Sequence, residues 1–276
     1  MIVNPVKVGF TGKTSNLFYA EALIRGDILI MSDADIFAPP GALAALAYGL
    51  MEPNVCISCL PLHRQSQNVW AHLYALTWNR VLLQLWAPQV VKGKPQGLAG
   101  GTLAFRTEDF RNLGGIQRFA GYIAEDIEIG KASMKAGLIL KLGPIVYSPV
   151  GKLSVLALLQ KLRRGDLCAL WMNPAGPLAT VFGFTVFYGF LAVLPFYLFA
   201  HWIAGVIIWA GFYSFRLIMM GRTFQQATGK FRLPLELLVG DPLIVASFFT
   251  SIVYPYVNWG GVKCRVRRGG RLEHSP

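Results

Sequence analysis

Two carboxylates, Asp33 and Asp35, stand one residue apart at the end of the apolar run Asp27-Ile-Leu-Ile-Met-Ser-Asp-Ala-Asp35. Paired acids on a turn can hold a hard divalent cation such as Mg²⁺ or Mn²⁺, and that ion can in turn bind a diphosphate. A second acidic group, Glu125, Asp126 and Glu128, lies in Tyr122-Ile-Ala-Glu-Asp-Ile-Glu128. Asp126 is the candidate general base, because a carboxylate within hydrogen-bond reach of an attacking hydroxyl can take its proton. Between them runs Gly97-Leu-Ala-Gly-Gly-Thr-Leu-Ala-Phe-Arg106, where Gly100 and Gly101 allow a ligand close to the backbone. Lys92, Lys94 and Arg106 either face phosphates or sit in solvent.

Each feature also has a purely structural explanation. A lone Asp-x-Asp is an acidic turn before Pro39-Pro40. Acids in a helix's first turn are favoured by its dipole, which accounts for Glu125 and Glu128 without any chemistry. Glycines can simply make a turn before a strand. The joint presence of all three features points to a site. Other patterns carry less. Gly9-Phe-Thr-Gly-Lys-Thr14 hints at a phosphate loop, but Lys7 stands where the pattern needs its first glycine. Cys56 and Cys59 have CxxC spacing with no second pair at metal-ligand distance, and read as core. The four histidines form no triad or metal motif.

These residues need elements to hold them. The run 27–35 reads as a strand buried in an α/β sheet, with its acids at the C-terminal edge where such sheets bind ligands. A helical pattern over Ile127–Ala136 ends at Gly137. Trp70, Tyr74, Trp78, Leu82 and Trp86 recur every four residues along a helix predicted over Ser66–Trp86. They serve either core packing, which is favoured, or contact with a bilayer or lipid. Lys152–Arg164 reads as an amphipathic basic helix with Leu153, Leu156, Leu159 and Leu162 on one face. It suits lipid anchoring at a membrane interface, or neutralisation of a leaving diphosphate.

Composition sets the wider frame. The chain has 276 residues, net charge +12, 54% hydrophobic and only 14% charged residues. That excludes a disordered chain and argues against a wholly soluble one. Residues 1–150 carry 13 Lys+Arg against 10 Asp+Glu, and residues 151–276 carry 13 against 4. The acids therefore sit in the first half and the basic excess in the second. From Leu167 to Phe215 there are 49 residues without a charge, enough for two membrane spans, placed near Pro177–Pro195 and Phe199–Arg216. Leu233–Val257 is apolar but interrupted by Glu236 and Asp241-Pro242. Arg216, Arg222, Lys230 and Arg232 read as a loop after the second span, and Lys263, Arg265, Arg267, Arg268 and Arg271 as a tail. These clusters read as cytosolic. They flank apolar spans, so anionic lipid head groups, not nucleic acid, are the expected partner.

Taken together these stretches resemble a family-2 glycosyltransferase, specifically the ceramide glucosyltransferase family and its bacterial relatives in hopanoid biosynthesis. The likeness runs through Lys7–Leu17, Ser32-Asp-Ala-Asp35, Gly100-Gly101, Gly114-Gly115, Phe119-Ala-Gly-Tyr-Ile-Ala-Glu-Asp126 and the tail Trp259–Gly270. It implies a GT-A fold with membrane segments and an inverting reaction that uses a nucleotide sugar. By resemblance, Asp33 is the metal and diphosphate aspartate, Asp35 completes the pair, and Asp126 is the base. Glu125, Gly100 and Gly101 would line the substrate site. The family's Gln/Arg-x-x-Arg-Trp motif falls on Gln160-Lys-Leu-Arg163-Arg164, with Arg164 where the family has Trp.

The implied reaction moves a hexose, UDP-glucose being the first donor, to a lipid hydroxyl, with ceramide first. A hopanoid alcohol (bacteriohopanetetrol) with a UDP-N-acetylglucosamine donor is the alternative, and an inactive truncated membrane protein is another. The family has an anchor helix and a first Rossmann-like half, and this chain is expected to begin after both, through a misassigned start, a fragment, or another chain that supplies the missing half. The expected organisation is a partial GT-A domain over 1–150, an interfacial helix and linker over 151–172, transmembrane helices over 173–257 and a basic cytosolic tail over 258–276. The expected location is integral and multi-pass, with the catalytic domain on the cytosolic side of a bacterial inner membrane in preference to the Golgi.

Overall fold

The computed structural model describes residues 12–172, 193–199, 201–259 and 262–274. They form two compact units. The first gathers the described parts of residues 1–63, 81–149 and 256–276. The second gathers residues 64–80 and the described parts of 150–255. Two of the breaks, after Pro149 and after Pro255, fall close to the bounds expected at 150 and 258, while residues 64–80 group with the second unit and the tail with the first.

The chain opens with α1 (Gly12–Glu21), β1 (Ile28–Ser32), α2 (Ala42–Gly49) and β2 (Val55–Arg64). After α3 (Val69–Arg80), a π-helical turn over Val81–Trp86 leads to α4 (Ala87–Val91), β3 (Thr102–Arg106), α5 (Thr107–Asn112), α6 (Glu125–Lys135) and β4 (Ile139–Pro149). The four strands make one sheet in the order β1-β3-β2-β4, with β3 antiparallel to β1 and β2. The expected mixed α/β class is present.

β1 differs from the expected buried strand. It ends the sheet order, and only Met31 is buried. Its apolar run has another cause, since both faces carry core. Leu29 and Met31 pack with Leu103, Phe105 and Ile129, while Ile30 packs with Leu46, Ile57 and Val146. A strand covered on both faces reads as an unbroken apolar run even at a sheet edge. Cys56 and Cys59 are free and buried in these clusters, as expected of core residues. The helix expected near Ile127–Ala136 is α6. It is capped at Ala136, and Gly137 leaves it at φ +87°, a left-handed position that suits glycine.

The tail is structured. β5 (Tyr256–Trp259), β6 (Val262–Val266) and β7 (Leu272–His274) form an antiparallel sheet within the first unit. Alternation drives it: Val257, Cys264, Val266 and Leu272 are buried, while Lys263, Arg267 and Glu273 are exposed. The sequence reading weighted the positive charge and missed the period of two.

In the second unit, α3 starts at Val69 because Asn68 caps it, its Oδ1 accepting the Ala71 N–H at 3.0 Å. Trp70, Tyr74 and Trp78 pack with Leu158, Leu162, Met220 and Leu237, so this part of the aromatic series is core packing. Leu82 and Trp86 lie past the start of the π-helical turn, in the first unit. On α7 (Val155–Met172), Leu158 and Leu162 are buried and Leu156 is 65% exposed. A spacing of four keeps to one face better than the repeated threes from Leu153 to Leu162.

The first expected span lies outside the described residues except for 193–195. α8 (Trp202–Thr228) covers the second and extends past it. Within it, Trp202–Gln226 is the one described helix long and apolar enough to cross a membrane. That supports membrane association weakly; a multi-pass arrangement needs residues outside the described set. Arg216 and Arg222 lie inside α8, not in a following loop. Arg216 is buried and its Nε donates to Asp241 Oδ2 at 2.6 Å. That pairing explains how α9 (Leu237–Val253), which continues through Pro242, can bury Asp241: a buried acid is tolerated when paired.

Candidate active site

Asp33 leaves β1 at the sheet's edge and is fixed by its backbone, its N–H donating to Gly101 O at 3.0 Å. The Ser32 hydroxyl lies 2.9 Å from Thr102 Oγ1 on the neighbouring strand, which tightens the same corner. A cavity of about 310 Å³ opens there, lined by Lys13, Asn16 and Leu17 of α1, Ser32, Asp33 and Ala34, Gly100, and Glu125, Asp126 and Ile129 of α6, with Met31 and Leu103 beneath. Its size falls within the range of small-molecule sites. The two acidic groups, about ninety residues apart in sequence, thus share one cavity.

Glycines bring α6 to it. A Cβ on Gly100 would overlap Asp126 Oδ2 and lie 2.9 Å from its Cγ. One on Gly97 would lie 2.7 to 2.9 Å from Ile127, and one on Gly130 would lie 2.8 Å from the Gly97 backbone. No real side chain fits such gaps, so the bare backbone lets the first turn of α6 seat against the 97–101 turn. The sequence reading gave these glycines to ligand approach. Gly100 does line the cavity, but its closest neighbour is Asp126. Gly101 is buried against Pro61, and a Cβ there would lie 2.9 Å from the ring Cγ.

Charge is concentrated. Lys13 Nζ lies 2.8 Å from Asp33 Oδ1 and 2.8 Å from Glu125 Oε1, bridging them. Burial opposes its charge, but the carboxylates of Glu125 and Asp33 outweigh that and hold the ammonium above the usual lysine range. Burial of the Asp126 carboxyl, with the like charge of Glu125 beside it, pushes Asp126 up to about 7, against the pull of Lys13. Asp126 is thereby poised to exchange a proton near neutrality. Glu128 faces elsewhere, accepting from Lys131 Nζ at 2.7 Å beside a second, smaller cavity with Arg118, Tyr122 and Lys135.

The two acids of the Asp-x-Asp have different surroundings. Asp33 faces the cavity with Lys13 on it. Asp35 lies outside the lining and accepts from Ser148 Oγ at 3.1 Å. Among the described residues no three His, Cys, Asp or Glu side chains gather where they could hold a metal.

Gln160, Arg163 and Arg164 stand on α7 in the second unit. Arg163 stacks on Tyr254, 5.1 Å from the ring centre, and donates to the Tyr254 carbonyl at 3.2 Å. Gln160 and Arg164 are exposed. Lys92, Lys94 and Arg106 are also exposed and outside the cavity lining, Arg106 donating to Met51 O at 3.0 Å.

Two elements were missed from sequence. Lys13 was set aside with the failed phosphate-loop pattern, although it falls within the stretch Lys7–Leu17 that carries the family likeness. The other is the tail. Ile123 N–H donates to Gly270 O at 2.9 Å and Leu272 N–H to Gly121 O at 2.8 Å. Arg271 stacks over Tyr122 at 5.5 Å and its Nε reaches the phenol oxygen at 3.3 Å. The C-terminal sheet therefore grips the segment that leads into Glu125 and Asp126.

Comparison with known proteins gives one family. The model described as Glycosyl transferase family 21 matches residues 1–272, essentially the whole chain, and the mixed α/β architecture fits a GT-A-like glycosyltransferase domain. No curated protein matches the chain.

Proposed function

The chain belongs to glycosyl transferase family 21 and is a glycosyltransferase, and from that premise we propose that it transfers a hexose, with inversion, from a nucleotide diphosphate sugar to a lipid hydroxyl. UDP-glucose and ceramide are the first donor and acceptor. The observation that carries the reading is the cavity itself: a carboxyl tuned to about 7 by burial, Asp126, opening onto the same space as Asp33 and Glu125.

In this reading Asp126 takes the proton of the acceptor hydroxyl while that oxygen bonds to the anomeric carbon. The bond from the anomeric carbon to the diphosphate breaks, and its electron pair leaves with the nucleotide diphosphate. Attack opposite the departing group inverts the anomeric centre. Gly100 keeps Asp126 against the cavity wall, so the base is positioned before the substrate arrives. The long apolar helix α8 supports a membrane-level acceptor, with Trp202, Ile203, Ile207, Phe212 and Phe215 exposed around it. Lys152, Arg163 and Arg164 before the uncharged run, with Lys230 and Arg232 after α8, favour the cytosolic side.

The test is product analysis. Membranes carrying the full-length protein are incubated with UDP-glucose and ceramide, and separately with UDP-N-acetylglucosamine and a hopanoid alcohol, then examined by mass spectrometry. A new hexosylceramide supports the first acceptor, and an amino-sugar hopanoid transfers the reading to the second. No glycolipid in either arm, nor with a total lipid extract, refutes it.

A further inference from the structure

Among the described residues the cavity lining holds three carboxyl groups, Asp33, Glu125 and Asp126, and one cation, the Lys13 ammonium, 2.8 Å from Asp33 and 2.8 Å from Glu125. A nucleotide diphosphate entering this partly desolvated space needs a cation close to its oxygens. Asp35, the other acid of the Asp-x-Asp, is outside the lining and accepts from Ser148. The cation already in place is the lysine.

We propose that Lys13 is the resident cation of the donor site, and that its ammonium passes from Asp33 and Glu125 to the diphosphate oxygens when the nucleotide sugar binds. The inference rests on the nucleotide-sugar reading above. Geometry favours the transfer. Lys13 lies in the first turn of α1, which lines the cavity with Asn16 and Leu17, so its four-carbon stem spans the same space the diphosphate would enter. Its Nζ has three protons and two are committed to carboxylates, so a third donor is available on the same face. The side chain is 37% exposed, enough to leave the carboxylates without unpacking the core. In the empty site the ammonium bridges two neighbouring carboxylates; in the filled site it compensates the charge that builds on the leaving group.

The test is UDP binding by calorimetry to the full-length protein in detergent, with a chelator and again with Mn²⁺. Lys13→Met is expected to weaken UDP binding in chelator at least about tenfold, as befits loss of a charge-assisted contact. Lys13→Arg is expected to stay within a few fold, because the charge remains. Lys13→Met with Glu125→Gln removes the excess carboxylate and guards against simple misfolding. In our reading the double variant still binds weakly. Full recovery in it would show that Lys13 only balances Glu125, and overturn the proposal. Wild-type affinity in Lys13→Met overturns it alone, with the donor reading intact. A wild-type protein that binds no UDP in either condition overturns both.

Discussion

Replacing Asp126 by Asn should make the protein inactive and, at the same time, more stable above neutral pH. The Asp126 carboxyl is carried from 3.8 to about 7 by burial and by Glu125. The folded chain therefore binds a proton between about pH 4 and pH 7 that the unfolded chain has already lost. Stability then falls as pH rises through this window and levels off above it. The full displacement caps the cost at about 4 kcal/mol for the ionised form, and the part between pH 5 and pH 8 at about 3 kcal/mol. The amide of the Asp126→Asn variant carries no such cost. The variant's thermal midpoint should gain on the wild type by roughly 5 °C between pH 5 and pH 8, given the few degrees per kcal/mol of a chain this size. The assay is a pair of melting curves across that range on full-length protein in detergent, with transfer rates measured alongside. Transfer should drop about 10²- to 10⁴-fold, the usual contribution of a general base. The wild-type rate should rise with pH toward a plateau above 7. Parallel melting curves, with the Asp126→Asn variant gaining nothing at high pH, would refute the buried-carboxyl reasoning. A variant that still turned over near the wild-type rate would refute the base assignment.

Three further outcomes follow from the packing. Gly100→Ala should cut kcat by about 10²-fold with the fold retained, because the new methyl overlaps Asp126 Oδ2 and a small displacement of a catalytic group is costly; circular dichroism and rate measurement check it, and a wild-type rate contradicts the seating of α6. Removing residues 268–276 takes away the Gly270 and Leu272 hydrogen bonds and the Arg271 contact with Tyr122, and should lower transfer at least about tenfold; limited proteolysis should then cut near residue 121, and an unchanged rate would dismiss the tail as a support. Arg216→Leu should destabilise the solubilised protein by about 3 kcal/mol by taking from buried Asp241 its hydrogen-bonded guanidinium and leaving it the more distant charge of Arg80, while the double change with Asp241→Leu should restore part of it; equal losses in single and double variants would show that the two residues do not act as a pair.

Sequence patterning determined whatever depends on near neighbours. The end of α6 at Gly137, the acids in its first turn, the core role of Cys56 and Cys59, and an apolar stretch over α8 all follow from local periodicity and residue type. The two acidic groups were also legible as one candidate site, and Asp33, Glu125 and Asp126 do line a common cavity. What sequence alone could not decide is where charges meet. Whether Lys13 serves a phosphate loop or bridges Asp33 and Glu125, whether Arg216 sits in a loop or pairs with Asp241, and whether the basic tail floats or grips Tyr122 are matters of distance across the fold. Electrostatic energy depends on separation and on burial, and neither is a property of position along the chain. Only the tertiary structure, by closing the glycine turn onto α6, brings a cation and three carboxyl groups into one cavity and, by burial beside Glu125, raises the Asp126 carboxyl to about 7.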